Sequence, residues 1–123
     1  MSDPLSFEHL TRTPAGVTLG PVATIAEGAA RNYVLEIGGR RFHGFVVHRD
    51  GAVFGYVDSC PHTGMPLAQH LDDYLTEDGS LIECDWHGAL FRIEDGLCLG
   101  GPCVGAHLDE WPVEIRDGMI VTR

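Results

Sequence analysis

A chain of 123 residues has room for one domain and a modest core. Eighteen acidic against eight basic residues give a net charge of −10, which argues against nucleic acid or an anionic membrane as a partner. The longest uncharged stretch, Thr13–Ala26, is too short to cross a bilayer and is broken by glycine and proline. The opening MSDPLSFEHL lacks the basic start and apolar centre of a signal peptide, so a cytoplasmic location is expected.

In chain order, residues 1–19 read as a loosely attached N-terminal extension and residues 20–123 as one domain. Tyr33–Ile37 leads through Gly38-Gly39 into Phe42–His48, the pattern of a hairpin with a primed turn. Asp50-Gly51 then turns the chain into Ala52–Val57. Leu81–Glu83 is the next strand, Gly88–Phe91 leads into another segment, and Asp95-Gly96 is a turn. Val113–Ile115, Asp117-Gly118 and Met119–Thr122 make a closing hairpin. Short strands with frequent turn signals predict an all-β fold, an antiparallel sandwich or barrel. Between Pro66 and Leu75 the apolar residues Leu67, Leu71, Tyr74 and Leu75 fall at helical spacing, which predicts one short helix packed on the core.

Two short runs carry the chemistry. Cys60-Pro-His62 and, after twenty-one intervening residues, Cys84-Asp-Trp-His87 each place a thiol and an imidazole on one loop. Two such loops can hold a 2Fe–2S centre in which a pair of histidines replaces a pair of cysteines on one iron. Neutral imidazoles leave less negative charge on such a centre, so its potential rises, and their remote N–H groups couple redox state to alkaline pH. Two Cys and two His can also make a tetrahedral zinc site, although zinc knuckles usually pair like ligands. Cys98 and Cys103 lie outside these runs and are expected as buried free thiols, a local disulfide being the less favoured state. The other histidines, His9, His43, His48, His70 and His107, have no second strong donor at ligand spacing.

CPHTGMPL (60–67), CDWHGALF (84–91) and the Gly100–Pro102 run together resemble the Rieske proteins. The resemblance extends over roughly residues 20–122. It implies a Rieske fold: a β-sandwich or barrel base with a small cluster-binding subdomain. The cluster-binding loops would span about 58–67 and 84–91, with a covering loop at about 100–103. It further implies one Rieske-type 2Fe–2S cluster, with Cys60 and Cys84 on the inner iron and His62 and His87 on the outer one. Pro102 would shield it.

Departures from the respiratory members of the family narrow the expectation. Where those carry an additional cysteine in each loop, joined as a disulfide, this chain has Met65 and Trp86. Where they place Ser and Tyr hydroxyls near sulfur, it has Ala89 and Phe91. Fewer hydrogen bonds to sulfur destabilise the reduced state, so the expected potential is nearer about −150 mV than about +300 mV. The chain therefore resembles the soluble Rieske ferredoxins. These carry one electron from a flavin-dependent reductase to the terminal Rieske oxygenase of a multicomponent system acting on aromatic compounds. No catalysis of its own is expected. An accessory subunit of a larger reductase, of the nitrite reductase type, is the alternative. A front domain of an oxygenase is disfavoured by length. The spacing between the loops exceeds that of most such ferredoxins, and the extra residues fall in the acidic stretch Asp72–Ser80.

Overall fold

The computed structural model describes residues 10–61 and 64–123. Among the described residues, nine strands run in the order β1 (Thr18–Pro21), β2 (Ala29–Ile37), β3 (Arg40–Arg49), β4 (Ala52–Val57), β5 (Leu81–Glu83), β6 (Leu90–Arg92), β7 (Cys98–Gly100), β8 (Val113–Arg116) and β9 (Met119–Thr122), with a 3-10 turn at Val22–Thr24. They form three antiparallel sheets of three strands, ordered β2-β3-β4, β1-β9-β8 and β5-β6-β7. The hairpins β2-β3, β3-β4 and β8-β9 are closed by Gly38-Gly39, Asp50-Gly51 and Asp117-Gly118, both residues of each pair having positive φ. That is the primed geometry whose twist matches the flanking strands.

β3 explains how the base carries the rest. Its run Phe42-His-Gly-Phe-Val-Val contains Phe42, Phe45, Val46 and Val47, all fully buried, because both faces of the strand are covered. Phe42 and Val46 enter a lower core with Tyr33, Val57, Trp111, Val113 and Ile120. Phe45 and Val47 point to the opposite face, into an upper core with Leu67, Tyr74, Ile82, Phe91, Ile93 and the thiols of Cys60, Cys84 and Cys98. Gly44 faces the lower core under the Trp111 ring, where a Cβ would come within 2.7 Å of that ring and 2.6 Å of Phe42. Gly55 admits the Trp111 carbonyl from β8's approach, 2.3 Å from where its Cβ would be. Both are strand glycines required by close approach rather than by a turn.

One expectation needs amendment. No helix forms over Pro66–Leu75, which runs as bends and turns. Asp72 there has φ of +65°, incompatible with a continuing helix. The apolar stripe also divides: Leu67 and Tyr74 are buried while Leu71 is 81% exposed. The backbone of this segment is bonded outward instead, to Asp58 and to Asp85. Residues 10–19 hydrogen-bond to the base. Leu10 N–H donates to the Arg41 carbonyl, Gly16 N–H to Thr122, and Trp111 Nε1 to Thr13 Oγ1 at 2.8 Å. The Thr122 hydroxyl, buried, accepts from Val17 N–H and donates to the Pro14 carbonyl. Residues 1–9 of the expected extension lie outside the described residues.

Candidate metal centre

The two motif loops share one backbone design. In the first, Cys60 N–H donates to Met65 O at 2.8 Å and Gly64 N–H returns to Cys60 O at 2.6 Å. In the second, Cys84 N–H donates to Ala89 O at 2.8 Å and Gly88 N–H returns to Cys84 O at 2.9 Å. Each loop is thus a cysteine closed onto the fifth residue ahead, with glycine at the fourth. Gly64 and Gly88 have φ of +75° and +71°, a region that L side chains rarely adopt. The histidine occupies the second position after the cysteine in one loop and the third in the other.

Side chains and backbone tie the loops together. Asp85 N–H donates to Leu67 O at 2.8 Å, Gln69 N–H to the Asp85 carboxylate at 2.9 Å, and Trp86 Nε1 to Pro66 O at 2.7 Å. Hydrogen bonds cross-link the two loops, and Met65 and Trp86 stand beside them. Both side chains are partly exposed, at 41% and 42%.

The thiols of Cys60 and Cys84 are fully buried. Burial pushes the Cys84 thiol up, the backbone N–H groups of Trp86 and His87 oppose this, and hydrogen bonding with Cys60 adds to the rise. Two thiols buried in one core, with the backbone of Trp86 and His87 favouring the thiolate of Cys84, suit a site that stabilises thiolate once a cation is present. His87, three residues past Cys84, is exposed, so the second loop runs from a sulfur inside to an imidazole outside. His62 lies outside the described residues. Among the described residues no three Cys, His, Asp or Glu side chains converge on one point. A two-iron centre asks for only two protein donors at each iron, so the buried thiol pair and an outer imidazole fit it.

The third loop covers the second. At Gly101, φ +90°, a Cβ would meet Ala89 Cα at 2.8 Å and Gly88 O at 3.3 Å, so the loop backbone lies directly on the Gly88–Ala89 corner. Beneath it Cys98 Sγ donates to Gly100 O at 3.2 Å and sits 3.0 Å from Cys103 Sγ. Burial pushes the Cys103 thiol up to about 12, with Cys98 and then the charges of Cys60 and Cys84 contributing in the same direction. Cys98 is buried and Cys103 half-buried, and all four cysteines gather in and against one core.

One group escapes the sequence motifs. The Asp58 carboxylate, two residues before Cys60, accepts Leu67 N–H at 2.9 Å and Tyr74 O–H at 2.8 Å, with the Asn32 amide at 3.4 Å. Asn32 also donates to Tyr74 Oη at 2.6 Å, and the Tyr74 ring stacks on Phe45 with centroids 4.1 Å apart. Burial raises the Asp58 pKa against these donors. It also raises Tyr74 above the usual phenol range, with Asp58 adding to the rise. Asp58 thereby fastens both ends of the first loop to β2 and β3. Nothing in the spacing marks it, beyond a carboxylate placed between an apolar strand and a cysteine.

The acidic stretch is ordered by its own carboxylates. Asp72 accepts Asn32 N–H at 2.7 Å. Asp78 accepts from the Thr76 hydroxyl and from Ser80 N–H and O–H, which lowers it to about 2. Thr76 N–H donates to Leu81 O and Glu83 N–H to Tyr74 O, so the stretch folds back as an arm beside β5. Arg49 donates to the Gly79 and Ser80 carbonyls and pins its tip.

Comparison with known proteins agrees with this anatomy. Residues 17–113 match the Rieske [2Fe-2S] domain family. No curated protein sequence matches. Among solved structures, the Sphingomonas yanoikuyae B1 ferredoxin is 26% identical with TM-score 0.64, covering 87% of this chain and 96% of its own. The ferredoxin of carbazole 1,9a-dioxygenase from Nocardioides aromaticivorans IC177 has 18% identity and TM-score 0.67, covering 89% and 97%. A chain in the complex of reduced oxygenase and oxidised ferredoxin of carbazole 1,9a-dioxygenase has 23% identity and TM-score 0.66, covering 85% and 97%. No helix among the described residues is long and apolar enough to cross a membrane. With twin cysteine–glycine loops, a covering third loop and a family match over most of its length, this chain belongs to the Rieske [2Fe-2S] domain family.

Proposed function

We propose that this protein is a cytoplasmic electron-carrying ferredoxin. It takes one electron from a flavin-dependent reductase and delivers it to the terminal Rieske oxygenase of a multicomponent, aromatic-compound oxygenase. Cys60 and Cys84 hold the inner iron of its cluster, and His62 and His87 the outer one. When bound, the cluster supplies a one-electron couple and nothing further. The observation that carries the reading is the polarity of the second loop, from the buried Cys84 thiol to the exposed His87 imidazole. That polarity brings the accepting end to the surface, where a partner's centre can approach. The partly exposed Trp86 and Met65 flank this end and offer an apolar footing to a partner. The acidic balance of the chain favours fast encounter with a basic docking face. Nearly full-length likeness to ferredoxins of dioxygenase systems supports the carrier role over that of an enzyme.

The test is to purify the protein anaerobically, measure iron and acid-labile sulfide, and titrate it with dithionite. Equal iron and sulfide and a single one-electron step are expected. Transfer to a ring-hydroxylating oxygenase encoded beside it should follow as single-turnover product. Replacing His87 by Ala should remove the native visible and paramagnetic spectra. Zinc without sulfide, or a native spectrum retained by His87→Ala, would refute the ligand assignment. Tight stoichiometric co-purification with a large reductase chain, without free carrier activity, would replace the carrier role by an accessory one.

A further inference from the structure

The four cysteines divide by position. Cys60 and Cys84 belong to the two motif loops, whereas Cys98 and Cys103 stand at the two roots of the third loop. That root is already closed by backbone bonds: Cys98 N–H to Ala106 O at 2.8 Å, Gly105 N–H to Cys98 O at 3.1 Å, and Ala106 N–H to Cys103 O at 2.9 Å. The two sulfurs are 3.0 Å apart, while a disulfide bond is about 2.0 Å long. A shift of about 1 Å therefore joins them, and the intervening Leu-Gly-Gly-Pro contains two glycines to absorb it. Cys98 is buried and Cys103 half-buried, so a reagent from solvent meets Cys103 first.

We propose that Cys98 and Cys103 form a reversible thiol–disulfide pair that locks the covering loop over the metal centre. The oxidant is a low-molecular-weight disulfide of the glutathione kind. Cys103 sulfur attacks it, forming a mixed disulfide and releasing one small thiol, which takes the Cys103 proton. Cys98 sulfur then attacks Cys103 sulfur, expelling the second small thiol with the Cys98 proton. Two protein thiols are oxidised and one small disulfide is reduced to two thiols, so electrons and protons balance.

The short ring favours a switch over a permanent brace. Six residues from Cys98 to Cys103 enclose little chain, so the bond gains little from loop closure and stays open to reduction. The burial that raises Cys103 slows its attack without moving the equilibrium. Closing the root holds Gly101 against the Gly88–Ala89 corner, so the oxidised pair should slow loss of whatever that corner encloses. The pairing does not depend on the carrier role proposed above.

The test equilibrates the anaerobic holoprotein in glutathione buffers of graded ratio, then quenches in denaturant with excess N-ethylmaleimide and weighs the intact chain. Reduced wild-type protein should take four adducts, one per cysteine, and fully oxidised protein two, with peptide mapping placing the link at Cys98–Cys103. Cys103→Ser should take three in reducing buffer and never form the link. Cys98→Ala serves as the second variant should Cys103→Ser not fold. A chelator should bleach oxidised wild type several-fold more slowly than reduced, with no such difference in either variant. Four adducts at every ratio, a link involving Cys60 or Cys84, or equal bleaching in both buffers would overturn the proposal. Iron and sulfide content in the same samples reads the carrier assignment separately.

Discussion

Replacing Asp58 by Ala removes the one acceptor that serves Leu67 N–H and Tyr74 O–H together. Leu67 and Tyr74 are buried, so no open solvent stands ready to take over those donors. A buried donor left without an acceptor costs about 1–3 kcal/mol. Tyr74 keeps its contact with the Asn32 amide, which limits its share. The sum is about 3 kcal/mol, within the range for breaking a buried polar network. Asp58→Asn keeps an oxygen for Leu67 N–H and should cost about 1 kcal/mol, in line with one weakened hydrogen bond. Urea unfolding of the holoprotein, followed anaerobically by far-ultraviolet circular dichroism, gives the differences through the midpoint. The slope should stay constant, because the surface exposed on unfolding does not change. Tyr74→Phe closes a double-mutant cycle, and its coupling to Asp58→Ala should be about 1 kcal/mol, as for residues in direct contact. Equal losses for Asp58→Ala and Asp58→Asn, or a coupling near zero, would refute the reasoning.

Gly101→Ala adds a methyl against the Ala89 backbone at a φ of +90° and should cost about 2–4 kcal/mol, from strain and overpacking together. It should also speed bleaching by a chelator, read as decay of visible absorbance. Trp86→Phe deletes the hydrogen bond to Pro66 O that ties the loops and should cost about 1 kcal/mol in the same urea assay, with faster cluster loss. Asp78 has its pKa lowered from 3.8 to about 2 by the Ser80 N–H and the Thr76 and Ser80 hydroxyls. Its stabilisation is therefore present above pH 3.8 and lost as pH falls toward about 2. Asp78→Asn should flatten this acid limb in a pH series of thermal midpoints, and an unchanged limb would show that the turn does not depend on the charge. Ala89→Ser restores the hydroxyl that respiratory Rieske proteins place against cluster sulfur and should raise the midpoint potential in a redox titration. No rise would remove that hydroxyl as the reason for a low potential.

Much of the frame was legible because its signals are local. The primed turns are written in Gly38-Gly39, Asp50-Gly51 and Asp117-Gly118, and the strands they join lie where alternation and β-branched residues placed them. The Thr18–Pro21 and Cys98–Gly100 strands were not anticipated. The first holds a glycine and a proline, and the second is three residues long; each owes its state to a partner remote in sequence or across a turn. The helical spacing after Pro66 misled for the same reason. Asp58 and Asp85 bind that segment's amides from outside, and Asp72 turns it left-handed. At the proposed metal centre, type and spacing nominate the cysteines and histidines, and the structure adds the buried thiols of Cys60 and Cys84 and the exposed His87. The shared closure of the two loops was foreshadowed only by a glycine four residues after each cysteine. The Asp58–Tyr74–Asn32 network was invisible, since three residues so far apart in the chain meet only through the sheet.

β3 is a party wall. Its two faces belong to different cores, so the metal-bearing half cannot melt away and leave the other half standing. Heat or denaturant should therefore release iron and dissolve the sheets in one event. A lesion as distant as a side chain crowded beneath Trp111 should register as colour lost from the far side.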